Sequence, residues 1–130
     1  MNANVKEILL SQIMQIATMS DMPNVVPVGL KTVTDDGKII IGNVMMVKTV
    51  ENVKANGMVA ISCGDYATNT IYEIKGSAVY EEDGDNLAII NKVAEDKGMP
   101  FRAKGAIVVT PCCITSIAPG PDNNKEVDWR

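Results

Sequence analysis

The chain has 130 residues, 46% hydrophobic and 22% charged, a balance that fits one folded globular domain and excludes a disordered chain. The net charge is −4 and no stretch gathers lysines and arginines into a stripe, so the phosphate neutralisation needed for nucleic-acid binding is not provided. Histidine is missing altogether, which removes the commonest general base, zinc ligand and haem ligand together.

Val5, Ile8, Leu9, Ile13 and Ile16 recur at helical spacing and predict an amphipathic helix from about Asn4 to Gln15. A short strand through IATMSD and a turn at Met22-Pro23-Asn24 follow. NVVPVGLKTV, from Asn24 to Val33, is β-rich, Asp36-Gly37 marks a tight hairpin, and KIIIGN returns as the partner strand. Thr49 to Asn56 reads as a short helix with Val50 and Val53 facing inward and Gly57 as its left-handed stop. GMVAISCG and TIYEIKGSAVYEED are two further strands. Asp83 or Asp85 caps another helix, which carries Leu87, Ile90 and Ala94 to a stop at Gly98. KGAIVVTPCCITSIA makes the last strand, and the polar tail PGPDNNKEVDWR ends beside the only tryptophan, Trp129. Six or so strands with regular turn signals and three short helices point to a small antiparallel barrel.

The opening MNANVKEILL has neither the long apolar core nor the cleavage site of a secretory signal. The longest apolar run, AIVVTPCCITSIA, is too short and too interrupted by Pro111 to span a bilayer. The three cysteines, Cys63, Cys112 and Cys113, are odd in number and two are neighbours. They are expected to be free thiols in a reducing cytoplasm, packed in strands, with no metal site.

Two breaks in the β pattern carry functional information. Pro27 sits within an apolar strand, where it removes a ladder donor and so implies an edge or a bulge. Gly29, two residues on, lets another group approach the backbone. VPVG therefore either lines a ligand slot or protects a sheet edge. The second break is GNVMMVKT. The strand stops at Gly42-Asn43 and a helix starts at Thr49, yet the intervening loop is Val44, Met45, Met46 and Val47. An apolar loop needs a cover, either a partner subunit or a flat apolar ligand. Lys48, Thr49 and the unpaired N–H groups of the first helical turn add an anion site at its end, an arrangement suited to a ring system carrying a phosphate. Neither G-x-x-x-x-G-K-[ST] nor G-x-G-x-x-G occurs, so nucleotide-hydrolase and Rossmann readings have no support.

PNVVPVGLKTVTDDGKIIIGNVMMVKTVENVKANGMVAISC, followed by YEIKGSAVYEEDG, resembles the FMN-binding split-barrel proteins of the pyridoxamine 5′-phosphate oxidase-like family. Small members of that family show a P-N-x-x-P-V strand, a hairpin, a K-T-x-x-N helix start and an x-I-K-G strand. PGPD resembles their C-terminal segment, and the likeness runs from about Ile8 to Asp122. The resemblance implies a mainly β (α+β) fold: a six-stranded antiparallel split β-barrel with short flanking helices, forming a homodimer with FMN at the subunit interface. Carried over by position, Lys48 and Thr49 would hold the FMN phosphate. Pro27, Val28 and Gly29 would offer backbone to the flavin, with Asn43, Val44 and Met45 flanking it and Asn52 bracing the helix start.

The basic residues with which true pyridoxamine phosphate oxidases hold their vitamin substrate are not evident, so that activity is not expected. The lack of histidine argues against the haem-binding and haem-degrading relatives. Deazaflavin-binding relatives share the barrel and stay open. The expectation is one FMN-binding domain over residues 1–130, with residues 119–130 as a tail, acting as a cytoplasmic redox protein or small oxidoreductase. The alternatives are a non-enzymatic FMN electron carrier or flavin store, and a barrel that binds no flavin and works through its apolar loop. No catalytic residue stands out. Tyr66, Tyr72 and Cys63 are the only titrating candidates, and Trp129 is a candidate to stack over the flavin of a partner subunit, against a frayed end.

Overall fold

The computed structural model describes residues 1–130. In chain order the elements are α1 (Ala3–Ser11), β1 (Met14–Met19), β2 (Pro23–Val28), β3 (Lys31–Val33), β4 (Ile39–Asn43), α2 (Lys48–Asn56), β5 (Met58–Asp65), β6 (Thr70–Glu81), α3 (Asp85–Asp96) and β7 (Gly105–Ser116). All strand pairs are antiparallel, in the order β2-β1-β5-β6-β7-β4-β3. The edges are β2 and β3, yet only Gly29 and Leu30 separate them in sequence. Two residues reach no more than about 10 Å between the flanking strands, so the sheet has to curl until its edges nearly meet. The result is a half-barrel closed by the covalent chain and by the Gly42 N–H donating to the Leu30 carbonyl at 3.0 Å.

The mainly β antiparallel barrel read from the sequence is present, with seven strands rather than six. The seventh arises because NVVPVGLKTV does not run through as one strand but divides at Gly29-Leu30 into β2 and β3. Pro27 indeed lies on an edge strand, paired on one side only, with Gln15. The turn before it comes at Ser20 to Met22, and Pro23 and Asn24 already pair with β1.

Two apolar layers explain the sequence patterns. Inside the barrel, Met14, Ile16, Ile39, Ile41, Ile61, Ile74, Ile107 and Ile114 form the main core with α1 and α2. On the outside of β4 and β7, α3 covers Ile40, Ala106 and Val108 with Ile90 and Ala94. Strands covered on both faces have no polar side, which is why IIIGN and GAIVV lack alternation. Burying each such Ile contributes about 1.5–3 kcal/mol.

The helix ends depart from expectation in instructive ways. α1 stops at Ser11, and Gln12 is extended at φ −112°, ψ 151°. Period-two burial of Met14, Ile16 and Thr18 overrides the helical spacing of Ile13 and Ile16, and Ile13 is left exposed. α3 starts at Asp85, with Gly84 rather than an aspartate at its cap position. α2 does end at Gly57, at φ 68°, where a β-carbon would also lie 2.8 Å from the Ala78 carbonyl oxygen.

The tail is docked. Glu126 bridges to Thr115, the Val127 N–H donates to the Ile114 carbonyl at 2.8 Å, and Val127 and Trp129 pack on the main core. The Trp129 ring rests against Gly37 in the β3–β4 turn, and its carbonyl accepts from the Asn2 N–H at 2.5 Å. No helix is long and apolar enough to cross a membrane.

Candidate functional site

Where the curled sheet brings β2 close to β4, an open cleft of about 340 Å³ remains. Val26, Pro27, Val28 and Gly29 form one wall, and Val44, Met45 and Met46 form the other. Met99 and Phe101, from the loop after α3, complete it. The lining contains no titratable side chain. Gly42 closes the floor against Leu30, whose Cδ2 would be 2.6 Å from any β-carbon at that position. At Gly29 the space above the backbone is open except for Ile13 at 3.7 Å.

The loop that forms the second wall runs directly into α2. Val47 is the cap residue and supplies no side-chain acceptor. No protein acceptor takes the N–H groups of Lys48, Thr49 and Val50; the first bond of the helix is Glu51 N–H to the Val47 carbonyl at 3.1 Å. Lys48 Nζ lies 3.5 Å from Asp21 Oδ1 and 3.6 Å from Glu51 Oε2 with nearly half of its side chain exposed. The helix dipole, the free donors and this ammonium group together favour an anion at the end of an apolar cleft.

Two polar pairs fix this helix start against the sheet. Asn24 Nδ2 donates to Thr49 Oγ1 at 3.1 Å, and Asn52 Nδ2 to Thr18 Oγ1 at 3.1 Å. Thr49 and Asn52 are each 1% exposed, and Asn52 Oδ1 is buried without a partner. Asn24 and Val26 are successive residues on one face of β2, about 7 Å apart, so α2 is pinned one step from the cleft wall.

The sequence-derived residues therefore divide into groups. Pro27, Val28, Gly29, Val44 and Met45 line the cleft. Lys48 and Thr49 lie just beyond it, Lys48 at the first helical position and Thr49 with its hydroxyl engaged by Asn24. Asn43 does not line the cleft. It is 2% exposed; its Nδ2 donates to Tyr80 Oη at 2.8 Å and its Oδ1 accepts from the Met46 N–H at 2.7 Å, which sets the shape of the apolar loop. Asn52 braces α2 through Thr18.

Met99 and Phe101 escaped sequence reasoning. The available signal was the lone phenylalanine in the short loop MPFR, between a Pro and an Arg. Among the titrating candidates, Cys63 is 1% exposed and donates to the Ile8 carbonyl at 3.4 Å. Burial pushes its thiol up to about 11, against the pull of Lys31, so it is an inert packing group. Tyr66 is exposed at the β5–β6 turn and Tyr72 packs on the core. Neither lines the cleft.

Comparison with known proteins identifies the family and the fold. A family model for pyridoxamine 5′-phosphate oxidase matches residues 1–114. An uncharacterized protein of Methanocaldococcus jannaschii is 31% identical over 119 residues, spanning 88% of this chain and 79% of that one. Among solved structures, HupZ of Group A Streptococcus superposes with a TM-score of 0.83 at 21% identity, over 94% of this chain and 98% of that one. An F420 reductase gives 0.67 at 20% identity, over 85% and 94%. An FMN-binding protein of Syntrophomonas wolfei gives 0.65 at 17% identity, over 88% and 80%. These similarities share the curled antiparallel sheet. The family match over most of the sequence, with the split barrel that it accompanies, places the chain in the pyridoxamine 5′-phosphate oxidase family.

Proposed function

We propose that this chain is an FMN-binding flavoprotein, a small cytoplasmic redox protein that holds its flavin at a homodimer interface. The observation that carries the reading is the continuity of an open apolar cleft with an uncapped, lysine-bearing helix start. The parts fit the group. Val26 to Gly29 and Val44 to Met46 offer two walls to a flat ring, with backbone of β2 at the open position Gly29. The phosphate would be taken by the first-turn N–H groups of α2 and by Lys48, with Asp21 and Glu51 giving up their hold on the ammonium. Thr49 contributes its backbone, because its hydroxyl is occupied.

A second copy supplies the cover that the cleft lacks. Met45 is 86% exposed and Phe101 43%, so large apolar groups of the cleft lining stand open to solvent. When bound, FMN would supply the electron or hydride transfer itself. The side chains of this cleft exclude water, orient the ring and bring no acid or base of their own. That lack of titratable groups favours electron or hydride transfer to a partner that needs no protonation by the protein, as in a flavin reductase or an electron carrier. The similarity to an F420 reductase supports a deazaflavin as the second candidate ligand.

The deciding measurement is the visible absorption of the purified protein before and after addition of FMN and desalting. A retained, shifted flavin spectrum is expected, together with weaker retention in Lys48→Ala at unchanged fold. A protein that releases all FMN overturns the reading, and retention of F420 instead would select the deazaflavin. Steady-state oxidation of NADH or NADPH with free flavin separates an enzyme from a carrier.

A further inference from the structure

Away from the cleft, the outer face of the sheet carries two neighbouring thiols that the flavin reading leaves unused. β6 and β7 pair Lys75 with Cys113 and Gly76 with Pro111, which makes Cys112 the extra residue of a bulge. In a regular strand adjacent side chains point to opposite faces. Here Val109 and Ile114 are buried, Cys112 is exposed and Cys113 is half-exposed opposite the exposed Lys75. The bulge thus turns both thiols to the same side. Cys112 Sγ lies 3.3 Å from the Lys75 carbonyl and Cys113 Sγ lies 3.7 Å from Thr115 Oγ1, so neither is consumed by a strong partner.

The surroundings of Cys112 are rich in soft donors. It lines an open hollow of about 440 Å³ together with Met19 and Met58, which are 50% and 63% exposed. Register explains the neighbourhood: Met58 and Val59 pair with Ser77 and Gly76, and Gly76 pairs with Pro111, beside Cys112. Glycine is required at 76, because a β-carbon there would collide with the Thr110 carbonyl oxygen. The hollow shares no residue with the flavin cleft.

No group of three or more His, Cys, Asp or Glu side chains comes together in the chain, which excludes four-ligand zinc sites. Two adjacent thiols with thioethers beside them suit an ion that accepts few ligands, all of them soft. We infer that Cys112 and Cys113, supported by Met58, form a binding site for a soft monovalent metal ion of the Cu(I) class. Binding breaks two S–H bonds, forms two S–metal bonds and releases two protons to solvent, with no change of oxidation state. Cys63 does not compete, since it is buried and bonded to backbone carbonyls.

The test uses Ag(I), a redox-inert ion of the same class, titrated into the reduced full-length protein in the presence of glutathione and read by native mass spectrometry. One Ag(I) per chain is expected in the wild type and in Cys63→Ala. Cys112→Ser should bind at least about tenfold more weakly, the Cys112→Ser/Cys113→Ser double variant should retain none, and Met58→Leu should bind more weakly at unchanged circular dichroism. Equal retention by the double variant and the wild type, or none by the wild type against glutathione, overturns the assignment. The readout is independent of flavin, so it stands or falls apart from the cofactor reading.

Discussion

The two nine-residue helices α1 and α2 meet their surroundings in opposite ways. At α1, the Asn2 side chain accepts from the N–H groups of Asn4 and Val5 at 2.8 and 3.5 Å. Its other end is met by Lys31, whose Nζ donates to the Gln12 carbonyl at 2.6 Å, a cation at the negative pole of the dipole. At α2, Val47 offers no acceptor and a lysine occupies the first position, where a carboxylate would suit the dipole better. α3 also starts without a side-chain cap and, like α2 with Glu51, carries an acid, Asp85, in its first turn, but that turn holds no lysine or arginine and the helix lies against β4 and β7. An uncapped start alone is therefore uninformative. What distinguishes α2 is that free donors, an ammonium group and an apolar cleft coincide.

That contrast can be broken by giving α2 the capping carboxylate that Val47 does not supply. Val47→Asp should weaken FMN at least about tenfold, because a carboxylate a few ångströms from the phosphate costs well over 1.4 kcal/mol even in a polar medium. The same change should raise stability without flavin by up to about 1 kcal/mol. Unchanged affinity in a fluorescence titration would mean that the first turn of α2 does not hold the phosphate. The reciprocal change at α1, Asn2→Ala, should lower stability by about 1 kcal/mol in urea unfolding and leave FMN affinity as it was. A parallel loss of affinity would erase the difference between the two helices.

A smaller effect sharpens the comparison. Asp21→Asn frees Lys48 from a partner 3.5 Å away and should tighten FMN a few-fold at low salt. The gain should vanish at about 1 M salt, where the screening length is about 3 Å. The smallest effect is the titration of Asp21 itself. A hydrogen bond from its own backbone, and then Lys48, hold its carboxyl below 3.8. Its folded-state pKa is depressed, so its contribution is complete above 3.8 and is lost as pH falls through the lower folded value. NMR should place that midpoint below 3.8 and, in Lys48→Met, move it only part of the way back, because the backbone bond remains.

The barrel was legible because period-two burial and turn residues are local signals, and the helix start at Lys48-Thr49 was legible for the same reason. What escaped the sequence depends on partners far along the chain. Thr49 is satisfied by Asn24, 25 residues earlier, and Asn43 by Tyr80, 37 residues later. Those bonds let the two side chains brace the helix and the loop that shape the cleft. The division of one β-rich run into β2 and β3 follows from closure of the barrel, which no window of the sequence displays. The place of the tail likewise depends on distant partners. PGPDNNKEVDWR is polar enough to wander, yet Val127 and Trp129 are spaced two apart, as on a strand edge, and both find the core.

The bond between Asn2 and Trp129 has a consequence for how the gene could be rearranged. Both chain ends are held at one point of the surface, so a short peptide could join them without stretching either. New ends could then be opened in the exposed Glu82-Asp83-Gly84 connection between β6 and α3. Such a circular permutant should fold to the same barrel with the cleft untouched, since both the joining point and the new break lie outside its walls.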